Sequence, residues 1–185
     1  MDKESVSRMT TTALDRLCTL QRLNTDNQWI NRDLYRLLYR PELYVMAYER
    51  NKSKPGNMTA GTDGQSIDGM SMSRIEGIIQ EIRDESYKPQ PARRVYIPKA
   101  NGKMRPLGIP TVKDKLVQEV VRTILECIYD SPHGETFSER SYGFREGRST
   151  HSAIKEVCHK WNGVKWFIEG DIKSFFDEID HEILI

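Results

Sequence analysis

Gly170-Asp171-Ile172-Lys173-Ser174-Phe175-Phe176-Asp177-Glu178-Ile179-Asp180-His181 is the stretch on which the reading of this chain turns. The apolar run Lys165-Trp166-Phe167-Ile168 leads into it and predicts a buried strand that delivers Asp171 at its end. A carboxylate at a strand terminus suits a hard cation. Mg²⁺ takes oxygen donors in near-octahedral array, usually one or two carboxylates with water and substrate phosphates filling the rest. Two such ions can clamp the attacking and leaving oxygens of an in-line displacement, the arrangement a nucleotidyl transferase needs. Residues 166–185 hold six acids (Glu169, Asp171, Asp177, Glu178, Asp180, Glu182) against the single base Lys173. Acid-rich runs are more often solvated faces than metal sites, so composition alone does not decide between the two.

Outward from this stretch, the charge is uneven. The chain of 185 residues has a net charge of +1. Between Lys88 and Leu125, however, nine bases face two acids, Asp114 and Glu119. A basic middle ahead of an acidic end suits a polyanion gripped outside a metal site. Hydrophobic residues at 37% and charged residues at 30% describe a globular chain of one to two domains. No apolar run approaches the ~18 residues that span a bilayer. Met1-Asp2-Lys3-Glu4 has no signal-peptide character, and Cys18, Cys127 and Cys158 lack C-x-x-C spacing. Buried, reduced thiols and a cytoplasmic protein are expected.

The first fifty residues predict helices. Leu14, Leu17, Leu20 and Gln21 form one stripe. Trp29, Ile30, Leu34, Leu37 and Leu38 form another, capped at Asp26 or Asn27. Pro41 opens a third helix carrying Leu43, Tyr44, Met46 and Ala47. A loop rich in glycine (Gly56, Gly61, Gly64, Gly69) follows Pro55. Ser71 or Ser73 then caps a helix with Ile75, Ile78, Ile79 and Ile82 on one face.

Arg93-Arg94-Val95-Tyr96-Ile97-Pro98-Lys99 and Lys103-Met104-Arg105-Pro106-Leu107-Gly108-Ile109 flank Asn101-Gly102. Asn-Gly between extended segments signals a hairpin with a type I′ turn. Alternation places Tyr96 on one face and Ile97 with Lys99 on the other. From Thr111 to Tyr129, Leu116, Val117, Val120, Val121, Ile124, Leu125 and Ile128 predict an amphipathic helix. Lys113 and Lys115 in its first turn oppose the helix dipole, a hint of nearby phosphate. Ser149 or Thr150 caps a last helix with Ala153, Ile154, Val157, Cys158 and Trp161 as its stripe; His151 reads as structural.

Three of these blocks resemble one family. Asp171-Ile-Lys-Ser-Phe-Phe-Asp-Glu-Ile-Asp-His181 is similar to the first catalytic-aspartate motif of reverse transcriptases, in the form found in bacterial group II intron-encoded proteins. Ile97-Pro-Lys-Ala-Asn-Gly-Lys-Met-Arg-Pro-Leu107 resembles their fingers hairpin, and Ser141-Tyr-Gly-Phe-Arg145 with Arg148-Ser-x-His-x-Ala153 their second conserved block. The glycine-rich loop resembles the segment that precedes the fingers in the family, a lid-like loop near the template.

The resemblance implies an α+β fold: a right-hand polymerase, helix-rich, with a fingers β-hairpin and an incomplete palm sheet. Residues 1–70 would form the helical extension and glycine-rich loop, 71–160 the fingers and 161–185 the beginning of the palm. It implies that Asp171, helped by the Ile172 carbonyl, binds Mg²⁺ in a two-metal site. Lys99 and Arg105 would hold the incoming triphosphate, and Phe176 would crowd a ribose 2′-OH. Arg94, Lys103, Arg145 and Arg148 are template or RNA-side candidates. The implied partners are group II intron RNA, an RNA/DNA template-primer and deoxynucleoside triphosphates, with no membrane. The aromatic-Ala-Asp-Asp motif of the family does not occur in the 185 residues. A truncated polymerase, inactive alone and prone to self-association into a homodimer, is therefore expected. The alternatives are a non-catalytic RNA-binding splicing module (maturase) or another bacterial reverse transcriptase lineage.

Overall fold

The computed structural model of the chain describes residues 3–26, 28–130, 136–172 and 178–184. It divides into two compact units, Met1–Phe137 and Ser138–Ile185.

The first unit is built around a buried helix. α1 spans Lys3–Leu23, a 3-10 helix follows at Leu34–Tyr39, and α2 spans Pro41–Lys52. Pro41 opens α2, where its missing N–H has no intrahelical carbonyl to lose. Glu42 to Ala47 are all buried, so α2 is enclosed on several sides, by α1, the 3-10 helix, α3 (Met72–Arg83) and α4 (Val112–Tyr129). A charged residue in such a position needs a partner. Arg16 of α1 donates from Nε to Glu42 Oε1 at 2.6 Å.

Both predicted isoleucine and valine stripes point into this core. Ile75, Ile78, Ile79 and Ile82 of α3 are buried, as are Leu116, Val117, Val120 and Ile124 of α4. Val121 and Leu125, expected on the same face, are exposed. Ser71 caps α3 by accepting from the Arg74 N–H, and Thr111 caps α4 by accepting from Asp114 N–H.

Two expectations are corrected here. The helix expected from Trp29 onward is confined to Leu34–Tyr39. Asp33 sits in the left-handed region at φ 59, which breaks the helical path, and Trp29 and Ile30 are exposed. Of the cysteines, only Cys127 is buried, its thiol pushed up to about 11 chiefly by burial; Cys18 and Cys158 are exposed. Both lie on helix faces turned to solvent, which apolar neighbours in sequence do not reveal.

The described residues hold one sheet, the antiparallel hairpin of β1 (Arg93–Pro98) and β2 (Met104–Ile109). Its turn differs from the expected type I′. Gly102 N–H donates to Lys99 O at 3.0 Å and Lys99 N–H to Lys103 O at 2.7 Å, with Gly102 at φ 78 and Asn101 outside the positive-φ region. Gly102 and Lys103 together oppose Lys99. This is the three-residue loop with a left-handed glycine bulge, in which only the glycine needs positive φ.

In the second unit, α5 spans Thr150–Lys160. A reciprocal box caps it: Ser152 N–H donates to Ser149 Oγ at 3.2 Å and Ser149 N–H to Ser152 Oγ at 2.8 Å. Its expected core stripe is open instead: Ile154, Val157 and Trp161 are exposed. The strand expected over Lys165–Ile168 is not formed either. Trp166, Phe167 and Ile168 are exposed and unpaired, because a strand exists only with a hydrogen-bonded neighbour and none of the described residues supplies one. A short α6 follows at His181–Leu184.

Candidate nucleotide-binding hairpin

The register of the hairpin sorts its side chains. Arg93 pairs with Ile109, Val95 with Leu107 and Ile97 with Arg105, so these six share one face. The Lys99–Lys103 bond extends the ladder and puts both lysines there too. Arg105 is therefore the diagonal neighbour of Lys99, a separation of roughly 7–8 Å between backbones. Val95 and Ile109 are half-buried at the root of this face, while the tip is open to solvent. Arg94, Tyr96 and Met104 lie on the opposite face. Lys99, Lys103 and Arg105 thus come together, and Arg94 is set apart from them.

The side chains of Lys99, Lys103, Arg105 and Arg94 have no ion-pair or hydrogen-bond partner among the described residues. Nearby cations are engaged. Arg93 donates from Nε to Ala60 O at 3.0 Å. Lys115 donates from Nζ to Thr59 O at 2.8 Å. Lys113 pairs with Glu81 and lies 5.4 Å from the Tyr87 ring centre. The hint of phosphate at Lys113 and Lys115 is thereby replaced by protein partners. A point-charge ammonium and a planar guanidinium side by side and unneutralised can receive phosphate oxygens.

The glycine-rich loop is part of this scaffold. Residues 59–62 run between the hairpin root and α4, and Thr62 Oγ1 donates to Pro91 O at 3.0 Å. Gly61 is buried: a Cβ there would stand 2.7 Å from the Thr111 backbone. Only glycine allows that approach.

Beneath the hairpin lies a buried carboxylate absent from the expectations. Asp114 is 1% exposed. Its Oδ1 accepts from Tyr87 Oη at 2.6 Å, and its Oδ2 from Gln90 N–H at 3.1 Å and Thr111 Oγ1 at 2.7 Å. Burial first, and the bond to Asp114 second, raise the Tyr87 hydroxyl well above the usual phenol range. The Thr-x-x-Asp spacing at the start of an apolar helix is the signal that could have found it.

In the second unit, Arg145 donates from Nη1 to Ser138 O at 3.1 Å and Ser141 O at 3.4 Å. Arg148 donates to Glu139 O, and its guanidinium lies 5.4 Å from the Tyr142 ring centre. Tyr142 donates to Glu156 on α5, a bond that raises the phenol and lowers the carboxyl. Both arginines therefore brace residues 138–149. Asp171 and Ile172 are exposed. Among the described residues no three His, Cys, Asp or Glu side chains gather as a metal site. One open carboxylate with an adjacent carbonyl is a fitting but partial donor set for a hard cation that keeps water and substrate phosphates. Phe176 lies outside the described residues.

Residues 97–185 match the family model described as reverse transcriptase (RNA-dependent DNA polymerase). The chain is 50% identical over 153 residues to the group II intron-encoded protein LtrA of Lactococcus lactis subsp. cremoris, which covers 82% of this chain and 25% of that protein. The chain belongs to the reverse transcriptase family. Within it, further similarity runs to proteins named for introns. A putative COX1/OXI3 intron 1 protein of Saccharomyces cerevisiae is 41% identical over 162 residues, 88% of this chain and 19% of that protein. Nuclear intron maturase 1, mitochondrial, of Arabidopsis thaliana is 33% identical over 76 residues, 41% of this chain and 10% of that protein. The chain spans about a quarter or less of the length of these relatives. The helix-rich architecture with one two-stranded hairpin fits the fingers-palm fold. No described helix is long and apolar enough to cross a membrane.

Proposed function

We propose that this chain contributes the fingers and the first palm segment of a group II intron-encoded RNA-directed DNA polymerase. The observation that carries the reading is the hairpin face on which Lys99 and Arg105 stand as open diagonal neighbours while Arg93, Lys113 and Lys115 nearby are engaged by protein partners. In this reading they take the triphosphate of an incoming deoxynucleotide. Lys103 and Arg94, on opposite faces, and Arg145 with Arg148 belong to the template side, the last two by holding residues 138–149 in shape. Asp171, with the Ile172 carbonyl, supplies donors to a Mg²⁺ site. A metal there would neutralise charge on the transferring phosphoryl group. Positioning and electrostatics dominate such transfers. Residues 1–70 serve as helical extension and loop, 71–160 as fingers and 161–185 as palm. The partners are intron RNA, template-primer and deoxynucleoside triphosphates.

Primer extension on an RNA template, by a protein carrying these residues and by its Asp171→Ala variant, tests the proposal. Synthesis lost in the variant with RNA binding intact supports it. A folded protein that binds intron RNA tightly and extends no primer moves the reading to a splicing module, which the maturase name of the plant relative favours.

A further inference from the structure

Both feet of the hairpin end on one side chain. The lead-in to β1 is held where Gln90 N–H meets Asp114 Oδ2, and the exit from β2 where Thr111 Oγ1 meets the same oxygen. We propose that Asp114 is a positioning residue whose buried carboxylate fixes the orientation of the hairpin, and hence of Lys99 and Arg105, on the helical body.

The site calls for a side chain that accepts from both feet at one oxygen. Oδ2 receives two donors and Oδ1 a third, so the side chain accepts all three bonds. The Asp114 N–H returns a bond to Thr111 Oγ1 at 3.2 Å, closing the cap, and the first turn of α4 favours negative charge. An amide in this place presents one acceptor and two donors. With its oxygen in the place of Oδ2 and its NH2 toward the Tyr87 oxygen it keeps both feet, whereas an apolar side chain of similar size offers neither foot an acceptor. Residues 59–62 add a second, weaker hold on the β1 side through Arg93 and Pro91. The exit foot rests on Thr111 and the close approach of Gly61. A short hairpin extending from two fixed points swings at its tip when either point is freed, and sites a small distance out of place lose much of their binding.

The consequence for phosphate rests on the reading of Lys99 and Arg105 given above; the positional claim does not. Spin labels at Asn101→Cys on the turn and Gln118→Cys on the exposed side of α4, in a Cys18→Ser, Cys158→Ser background, report the hairpin-to-body distance by pulsed electron resonance. Asp114→Leu and Thr111→Val are expected to broaden or shift the distance distribution. Tyr87→Phe removes the Oδ1 partner without touching either foot and is expected to keep it narrow, even where thermal stability falls equally. Thr111→Val decides alone if Asp114→Leu does not fold. An unchanged distribution in the foot variants, or equal broadening in Tyr87→Phe, overturns the proposal. Titration with inorganic tripolyphosphate in the same samples separates the two ideas. Binding weakened roughly ten-fold by Asp114→Leu supports both. A parent chain that binds no tripolyphosphate removes the phosphate reading and leaves the distances to judge Asp114.

Discussion

The cations of the helical body and those of the hairpin tip are chemically alike and structurally opposite. In the body, Glu119 of α4 is almost buried and gathers Arg122 at 2.5 Å, Lys54 at 3.3 Å and Arg50 at 3.9 Å, while Arg50 also donates to Thr123. Arg50, Lys54 and Arg122 converge there on one largely buried carboxylate. At the hairpin tip, Lys99, Lys103 and Arg105 share a face with no carboxylate among the described residues. The body spends its charge on folding and the hairpin holds its charge open. A surface that keeps like charges adjacent gives up stability, and binding an anion is the simplest way to recover it.

That contrast can be broken most forcefully at Glu119. Glu119→Ala leaves Arg50, Lys54 and Arg122 around a dry gap and is expected to cost about 2–3 kcal/mol in chemical denaturation. That lies below the range for fully buried pairs because the cations are partly exposed. A loss under about 0.5 kcal/mol, the level of an ordinary surface change, would erase the distinction between body and tip.

Gly61 tests the scaffold that links the two regions. Gly61→Ala brings a methyl against the Thr111 backbone, where no flexible side chain can yield. Overpacking of this kind costs about 1–3 kcal/mol. The melting temperature should fall accordingly, and retention of the parent value would mean the loop is not wedged on α4.

The acid limb of stability gives a smaller signature. Burial pushes the Glu119 carboxyl up, but bonds and charge from Arg122, then Lys54, hold it below the ordinary glutamate value on balance. A folded-state value below the unfolded one means stability that is full above the unfolded value, about 4.3, and lost as pH falls through the folded one. Glu119→Gln should therefore flatten the pH dependence of unfolding below about pH 4. An unaltered slope would show that other carboxylates govern acid unfolding.

What the sequence revealed follows the range of the interactions concerned. Ile75 to Ile82 and Leu116 to Ile124 announce buried faces because helix periodicity is local, and the caps Ser71 and Ser149 are local for the same reason. The hairpin was legible from Asn101-Gly102, although its turn and register were not: a two-residue turn would pair Ala100 with Lys103, whereas the glycine bulge sets Lys99 opposite Lys103. Trp166, Phe167 and Ile168 read as a buried strand because apolar runs usually are. Burial requires a neighbour, and composition names none. Asp114 lay hidden for the opposite reason: among the nine bases of the middle segment it counts as a stray acid, and only folding brings Tyr87, Gln90 and Thr111 to it. The roles of Lys99 and Arg105 came from resemblance; their openness came from structure.

The smallest effect on stability is expected where the effect on binding is largest. Lys99→Ala with Arg105→Ala removes two side chains that touch no partner among the described residues, so unfolding should shift by no more than about 0.5 kcal/mol. Relief of repulsion among Lys99, Lys103 and Arg105 could give that small shift a stabilising sign. Binding of tripolyphosphate should weaken sharply, and the parent's affinity should fall with added salt more steeply than the variant's, because fewer charges meet the anion in the variant. The pairing of the two measurements carries the argument. Loss of binding with loss of stability would place these cations with Glu119 and its partners, whereas loss of binding alone marks charge that the fold supports without using.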